Sequence, residues 1–472
     1  MTCAGLMHPR YPVGPRRDGD TIGRNRPVLF LPAILVVALV AVATVVLVRL
    51  LPPPVSRVTV RAPETRPGPT ASAPTLVFVV LDNVRADRLA LCGHERPTSR
   101  WLKRLAKKGA SYTCDAYAPG SWTLPSHATF FTGLDVPGHG AHSLPSGGEE
   151  LGRNTSETVR PLGPDVPTLA EQLAARGYQT HLVSGNPVLS EESGLTRGFE
   201  RTEVAERFNA LHGRELERAV DDALRTADPS RPLFLFVNIA DAHQPWRRVP
   251  EQVRWLPTRD AFRLHASKPD GFWQRWYRGE LDPRERKATL SHLRDVYDWG
   301  IYRADRTLGR VLKKVEDSGW TKPGLRVVIT SDHGEFLGEH GLLDHGHYLE
   351  DENQRVLLMV AGDEPVALPE GPVSAGEAYH LVRDGAVSAS RVPVEATTFP
   401  HRQRQDWAGG SFYGHTAVAR WDVDGRVLWQ SDGEPPPAAL ADLAARAEQS
   451  GAASAGASAG MIEMLRAAGY VE

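Results

Sequence analysis

The chain has 472 residues, of which 24% are charged and 7% are aromatic. Lysine and arginine (55) nearly balance aspartate and glutamate (57), so the net charge points neither to nucleic acid nor to a strongly acidic partner. Three cysteines are too few for a disulfide scaffold, and none has the CxxC spacing of a structural zinc site.

An apolar segment near the N-terminus, Val28–Val48, has about the 20 residues that a helix needs to cross a bilayer. Five arginines precede it in residues 1–26, which predicts a cytoplasmic N-terminus and an extracytoplasmic domain. A cleaved signal peptide would have a shorter apolar core, so the sequence favours an uncleaved anchor over residues 27–49. Residues 50–74 are rich in proline and polar residues, which predicts an extended tether.

A large α/β domain with a mostly parallel central sheet flanked by helices is predicted over residues 75–372. Its apolar strand runs are Thr75–Leu81, Gln179–Val183, Leu233–Ile239 and Leu325–Thr330. Helical periodicity predicts helices over Thr98–Lys108, Val166–Arg176 and Tyr297–Val315.

The cysteines of this domain are Cys92 and Cys114. They could form one disulfide. The sequence favours free thiols instead, because a core of this size gains little from a single bridge and free cysteine is readily buried as a small apolar side chain.

Residues 373–472 change to short alternating segments, which predicts a small β-rich subdomain with a linker and a terminal helix. Thr416–Trp421 and Arg426–Trp429 are separated by turn residues, which indicates a hairpin. No helical pattern is apparent directly after Gly362.

Polar side chains follow each predicted strand, at the edge where parallel α/β sheets bind ligands. They are Asp82 and Asn83, Ser184 to Asn186, Asp241 and His243, and Ser331 to Glu335. One aspartate at a strand end is more often a cap or turn residue, but four such ends together favour a metal site. Carboxylate and amide oxygens with imidazole nitrogen suit Ca²⁺, Mg²⁺ or Mn²⁺.

The segment Ser121–Gly133 predicts a helix with Pro125 at its first position and Gly133 at its end. Thr123 would lie beside the helix N-terminus, where unpaired N–H groups and the helix dipole favour an anionic ester group. Taken alone, this segment is better explained by Thr123 as a simple helix cap.

Four motifs occur in order along the chain: LDNVRAD at 81–87, TLPSHATFFTG at 123–133, DAHQPW at 241–246 and SDHGEFLGEHGLLDHGH at 331–347. This ordered set resembles the sulfatase family of the alkaline phosphatase superfamily. The resemblance implies that family's fold and a bound divalent metal ion. It implies metal ligands at Asp82, Asn83, Asp332 and His333, and a nucleophile at Thr123.

The same resemblance implies that His243 and His345 contact the ester or its leaving group. His347 is an alternative to His345 in this role, and His340, in the same loop, is either a further alternative or a structural residue. Arg85 and Glu335 are expected to brace the site through hydrogen bonds and an ion pair. The carboxylate of Asp241 could orient the ring of His243.

Three residues depart from the family pattern. Thr123 stands where the family has Cys or Ser, which is oxidised to formylglycine, and His127 stands where it has Arg. The resemblance therefore implies that no formylglycine forms here, and a threonine alkoxide favours phosphoesters over sulfate esters. Asn83 replaces an aspartate, which is expected to weaken cation binding.

The sequence thus predicts a membrane-anchored, metal-dependent hydrolase or phosphotransferase acting outside the cytoplasm. Its substrate would be a sulfated or phosphorylated glycan, lipid or small molecule. The alternative is a catalytically inactive relative that binds an anionic glycan or lipid headgroup, which the departures at Asn83, Thr123 and His127 would favour.

Overall fold

A computed structural model describes most of the large domain and part of the chain that follows it. The described residues are 72–142, 159–208, 210–246, 253, 255, 275–276, 279–346, 349–364 and 366–388, together with the backbone of five later strands. The predicted membrane segment, the tether up to residue 71 and the terminal helix lie outside them. Among the helices that are described, none combines the length and apolarity needed to cross a membrane.

Ten strands belong to the described part of the large domain. They are β1 (Thr75–Leu81), β2 (Ser111–Tyr117), β3 (Gln179–Ser184), β4 (Arg201–Val204), β5 (Leu233–Ile239), β6 (Leu325–Thr330), β7 (Phe336–Leu337), β8 (Leu343–Asp344), β9 (Arg355–Gly362) and β10 (Val373–Ser374). Eight of them form one sheet in the order β10-β2-β9-β6-β1-β5-β3-β4. Only β9 runs antiparallel to its neighbours, β2 and β6, so the prediction of a mostly parallel sheet is confirmed.

Strand β1 shows why this sheet forms. Its seven residues are all buried, and alternate side chains enter two different cores. Leu76, Phe78 and Val80 pack in one core, while Val77, Val79 and Leu81 pack in the other. Burying one such side chain contributes about 1.5–3 kcal/mol, which explains a continuous apolar run rather than an alternating one.

Eight α-helices are described in the same domain. They are α1 (Arg100–Lys107), α2 (Thr123–Thr132), α3 (Val136–His139), α4 (Leu169–Ala175), α5 (Arg214–Thr226), α6 (Pro283–Asp317), α7 (Asp351–Gln354) and α8 (Ala378–Arg383). The predicted helices Thr98–Lys108 and Val166–Arg176 are present with shorter ends. At the second, Thr168 caps the helix, accepting a hydrogen bond from the N–H of Glu171.

Helix α6 begins 14 residues before its predicted start at Tyr297. Asp282 caps it by accepting hydrogen bonds from two N–H groups of the first turn, and Pro283 follows at the first position. The added turns are mostly polar, so their hydrophobic period is weak in the sequence. The expectation of no helix after Gly362 is also wrong, because α8 packs its apolar side chains into the core.

Helix α1 is held against α6 by a cap and by close packing. The carboxylate of Asp305 accepts hydrogen bonds from the backbone N–H groups of Trp101 (2.9 Å) and Leu102 (3.0 Å). One turn later, Gly309 lies under the indole of Trp101. A Cβ at that position would be 2.2 Å from the nearest ring carbon, so only glycine fits without movement.

Cys92 and Cys114 form a disulfide, so the expectation of free thiols is wrong. Cys92 ends a short 3-10 turn that follows the LDNVRAD motif, and Cys114 lies in β2. The two Cα atoms are 5.8 Å apart. Sequence spacing does not reveal that the fold brings these two Cα atoms together. The bridge links residues 22 apart, which the chain-entropy model values at about 3 kcal/mol.

Five short strands follow the large domain: β11 (Val394–Thr398), β12 (Arg404–Trp407), β13 (Gly410–Phe412), β14 (Ala417–Trp421) and β15 (Val427–Gln430). Strands β11, β14 and β15 form an antiparallel sheet, and β12 pairs with β13. The predicted hairpin is present as β14 and β15, although its connecting residues lie outside the described part. Strand β10 instead pairs with β2, so the central sheet extends past residue 372.

Candidate functional site

The candidate site lies where the carboxyl ends of β6, β1, β5 and β3 meet. Val80 of β1 is in register with Asn238 of β5 and with Thr330 of β6. Asp82 and Asp332 come two residues beyond Val80 and Thr330, so the two carboxylates reach the same height above the sheet. Both side chains are fully buried.

Asp82, Asp332 and His333 place one ligand atom each within 4.8 Å of one another. One oxygen of each of three side chains, Asp82 Oδ1, Asn83 Oδ1 and Asp332 Oδ2, is buried without a hydrogen-bond partner. Leaving such oxygens unpaired costs several kcal/mol, and burial beside Asp82 raises the pKa of Asp332 well above its usual range. Three oxygens and one imidazole nitrogen fit a divalent cation.

Backbone geometry fixes the other atoms of these four predicted ligands. The N–H of Asn83 donates to Asp332 Oδ1 (2.9 Å), and its φ of 60° is a left-handed conformation that Asn adopts at little cost. Nδ1 of His333 donates to the carbonyl oxygen of Gly334 (3.0 Å). Nε2 therefore carries the lone pair, and it lies 3.5 Å from Asp332 Oδ2.

Thr123 is the first residue of α2 and not its cap. The cap position is Trp122, whose side chain makes no capping hydrogen bond. Pro125 therefore occupies the third helical position and not the predicted first one, and its missing N–H is tolerated because N–H groups of the first turn have no partner within the helix. Gly133 ends the helix at φ 72°, as predicted.

The side-chain amide of Asn186 connects the nucleophile position to the metal cluster. Its Nδ2 donates to Asp82 Oδ2 (2.7 Å) and to Thr123 Oγ1 (3.0 Å). Its Oδ1 accepts from the N–H of Val188 (2.8 Å), which fixes the orientation of the amide. The hydroxyl of Thr123 also lies 3.5 Å from His333 Nε2. Thr123 is thus held against the predicted metal ligands.

Asn238 is a site residue that the sequence reasoning missed. Its Nδ2 donates to Asp82 Oδ2 (2.9 Å) and lies 3.4 Å from His127 Nε2. The available signal was a single amide next to the end of the otherwise apolar run LFLFVNI.

His127 stands at the helical position where the family pattern has Arg, and it carries no charge at neutral pH. Burial lowers its pKa to about 4. Nδ1 donates to the carbonyl oxygen of Thr123 (2.9 Å), and the ring packs edge-on against Phe130, Phe131 and Phe236. The residue therefore fills space beside the cluster without supplying a cation.

The ring of His243 is positioned by packing and by a backbone contact. It stacks on Phe208 with 4.1 Å between ring centroids, and Nδ1 donates to the carbonyl oxygen of Gln244. Burial lowers its pKa to about 4. The expectation that Asp241 could orient the ring is wrong, because that carboxylate pairs with Arg303 (2.6 Å).

His345 lies in the site, between two buried carboxylates. Its Nδ1 is 3.2 Å from Glu335 Oε2 and 3.2 Å from Asp344 Oδ1, and these three residues form a second group of potential ligands. Its ring centroid is 4.4 Å from that of His333. His340 points away, with 51% of its side chain exposed and a contact to Glu352. His347 lies outside the described residues.

Arg85 and Glu335 brace the site, but not through an ion pair with each other. The guanidinium of Arg85 donates to the backbone carbonyl of Glu335 (2.9 Å) and pairs with Asp87 (2.7 Å) and Glu339 (3.1 Å). The carboxylate of Glu335 instead accepts a hydrogen bond from the side chain of Asn83.

Comparisons with known proteins agree with this fold. A family model described as Sulfatase matches residues 74–366. A structure solved with its substrate D-glucosamine-2-N,6-O-disulfate superposes with a TM-score of 0.54 at 15% identity, covering 75% of this chain and 87% of that one. The phosphonate monoester hydrolase of Agrobacterium radiobacter gives 0.50 at 16% identity, covering 80% and 94%.

Proposed function

Because this chain belongs to the sulfatase family of ester hydrolases, we propose that it cleaves sulfate or phosphate esters with Thr123 as its nucleophile. Asp82, Asn83, Asp332 and His333 would hold a divalent cation. The observation that carries the proposal is the position of the Thr123 hydroxyl beside buried carboxylates that have unpartnered oxygens. A cation bound there would stabilise the threonine alkoxide and offset charge on the ester oxygens.

Thr123 attacks from the N-terminus of α2, where backbone N–H groups favour the anionic sulfuryl or phosphoryl group. Asn186 donates to one lone pair of the hydroxyl and so orients the other toward the ester. As Oγ1 loses its proton it bonds to sulfur or phosphorus, the bond to the leaving oxygen breaks, and that oxygen takes up a proton and departs as the alcohol. A second attack then releases the sulfuryl or phosphoryl group from Thr123. Attack by water gives hydrolysis, and attack by a second alcohol gives transfer.

His243 and His345 are proposed to contact the ester or the leaving oxygen. Nδ1 of His243 is committed to a backbone carbonyl, and Nδ1 of His345 lies between two carboxylates. Nε2 is therefore the atom that each ring can turn to the substrate. The two ring centroids are 5.0 Å apart, close enough for both rings to contact one ester group.

We further propose that the domain works outside the cytoplasm, held by the predicted anchor at Val28–Val48. The bond between Cys92 and Cys114 supports this location, because disulfides persist in oxidising compartments and are rare in the cytoplasm. Protease added to intact spheroplasts should then digest the domain. Protection of the domain until the cells are lysed would contradict the location.

The nucleophile is tested with Thr123→Val, which keeps the shape of the side chain and removes the hydroxyl. Thr132→Val at the other end of α2 is the matched control. Purified protein reloaded with Mn²⁺, Mg²⁺ or Ca²⁺ is incubated with 4-nitrophenyl phosphate, bis(4-nitrophenyl) phosphate and 4-nitrophenyl sulfate. Turnover and a covalent adduct, found by intact mass spectrometry, should occur in the wild type and the control but not in Thr123→Val. Wild-type turnover by Thr123→Val would contradict the proposal.

The second candidate is a non-catalytic protein that binds an anionic glycan or lipid headgroup. The uncharged His127 favours it, because a catalytic site of this family pattern would have Arg there to offset charge on the ester. This candidate predicts that metal and ligand raise the thermal midpoint equally in wild type and Thr123→Val, with no turnover in either. A trapped adduct on Thr123 would exclude it.

A further inference from the structure

An open groove of about 520 Å³ runs along the first turns of α6. None of the predicted ligands or nucleophile residues lines it. Four of its lining side chains are basic and one is acidic. The basic residues are Arg96, Arg286, Lys287 and Arg294, and the acidic residue is Asp295.

Two of the basic side chains are fixed in place. The guanidinium of Arg96 pairs with Asp295 (2.6 Å) and Asp298 (2.7 Å), whose carboxylates are buried. The guanidinium of Arg286 lies 4.0 Å from the centre of the Trp276 ring, a cation–π contact. Arg96 offsets the buried carboxylates, so the uncompensated positive charge of the groove comes from α6.

Lys287 and Arg294 supply most of that charge. Both side chains are exposed, and neither forms an ion pair with an acidic residue in the described part of the chain. They are seven residues apart, which is two helical turns or about 10 Å along the same face of α6. The groove therefore presents two free cations at a spacing that suits repeating anionic groups on an extended chain.

Side-chain contacts connect the lining of the groove to both segments that carry the predicted metal ligands. Leu290 lines the groove and lies so close to Gly338 that a Cβ there would be 2.2 Å from its methyl carbon. Gly338 belongs to the segment that follows His333. Arg96, which also lines the groove, pairs with Asp298, and Asp298 pairs in turn with Arg88 (3.0 Å), in the turn that follows Asn83.

We propose that this groove binds the sulfate or phosphate groups of an anionic glycan whose ester is cleaved in the candidate site. The inference rests on the proposed function and names its substrate class as a polyanionic glycan. Four basic side chains line the groove, and two of them lie two helical turns apart, which suits an extended chain with repeated anionic groups. Guanidinium and ammonium groups form the charge-assisted hydrogen bonds that hold sulfate and phosphate oxygens.

The test is a charge reversal of the two free cations, Lys287→Glu with Arg294→Glu, in the full-length chain kept in detergent. The matched control is Arg218→Glu with Arg306→Glu, which changes net charge equally at exposed positions of α5 and α6 outside the groove. Binding is measured by anisotropy of a fluorescein-labelled heparin hexasaccharide, without any need for turnover. KM and kcat are measured separately with 4-nitrophenyl phosphate and 4-nitrophenyl sulfate.

The groove variant should bind the hexasaccharide at least about tenfold more weakly, with a flatter salt dependence, and keep KM for the small esters within about twofold. The control should keep both. Hexasaccharide affinity within about twofold of wild type, or an equal loss in the control, would overturn the proposal. So would retained hexasaccharide binding with lost binding to phosphatidylglycerol vesicles, which would make the groove a lipid contact. If the wild type turns over neither ester, the proposed function fails. The hexasaccharide binding of the groove variant and its control still shows whether the groove binds a polyanionic glycan.

Discussion

Replacing Asn186 with alanine should separate the stability of the site from its chemistry. The amide makes three hydrogen bonds: it donates to the buried carboxylate of Asp82 and to the hydroxyl of Thr123, and it accepts from the N–H of Val188. A hydrogen bond to a charged group contributes about 1.5–3 kcal/mol and a neutral one about 1 kcal/mol. We therefore expect the free energy of unfolding to fall by about 3 kcal/mol, with the loss limited by water that enters the space.

Only part of this loss should appear in catalysis. The bond from Asn186 to Thr123 orients the nucleophile, so its removal should lower kcat by at least about tenfold, equivalent to about 1.4 kcal/mol. Saturating metal should not restore kcat, because Asn186 orients the hydroxyl and is not itself a predicted ligand.

The matched control for Asn186→Ala is Gln179→Ala, at the first residue of β3, the strand that ends two residues before Asn186. The Gln179 amide is also buried and makes three hydrogen bonds, two of them donated to the backbone carbonyls of Asp228 (2.7 Å) and Arg231 (3.0 Å). Urea unfolding should give similar losses for the two variants, whereas turnover of 4-nitrophenyl esters should fall only for Asn186→Ala. Equal kcat values for the two variants would refute the assigned role of Asn186.

Three further predictions concern the frame around the site. Cys92→Ser with Cys114→Ser should lower the free energy of unfolding by about 3 kcal/mol in urea titrations, and dithiothreitol should lower it only in the wild type. Gly309→Ala should lower the free energy of unfolding of the wild type by about 1–2 kcal/mol, because the added Cβ clashes with Trp101. In a Trp101→Ala background the same substitution should raise it by up to about 1 kcal/mol, because alanine favours the helix over glycine. A change of the same sign in both backgrounds would contradict the packing of Gly309 against Trp101. Burial lowers the pKa of His139 to about 3. Below about pH 6.5 its imidazole therefore binds a proton in the unfolded chain but stays neutral in the folded protein, which favours unfolding. Between pH 7 and pH 5 the wild type should therefore lose about 2 kcal/mol of unfolding free energy more than His139→Gln, and equal losses would contradict this.

The strands of the central sheet could be predicted because their signal is local. In β1 and β5 every residue is buried, so a run of mostly apolar residues marks each strand, interrupted only by Thr75 at the start of β1 and by Asn238 in β5. The start of α6 could not be found in the same way, since its first turns bury few side chains and are identified by the cap at Asp282. The disulfide between Cys92 and Cys114 depends on a tertiary approach that no local pattern encodes.

In the candidate site, too, the residues that a local pattern marks could be predicted, and those that depend on tertiary contacts could not. Asp82, Asp332 and His333 follow strand ends, so the position of each along the chain already indicated a common edge. Asn238 was missed because it lies inside a strand, where only its contact with Asp82 reveals its part in the site. The position of Asp241 after β5 also correctly indicated the carboxyl edge of the sheet. Its partner could not be predicted, because the carboxylate pairs with Arg303 and not with His243, and that contact depends on how α6 packs.

The length of α6 imposes a constraint on how this protein can change. Its 35 residues carry the groove cations near one end, the partner of Asp241 in the middle, and both Asp305 and Gly309 further on. Inserting or deleting one residue between Arg294 and Gly309 would turn one half of the helix by about 100° relative to the other. Either the groove or the contact with α1 would then face the wrong way. Relatives that keep both features should therefore have no insertion or deletion between Arg294 and Gly309.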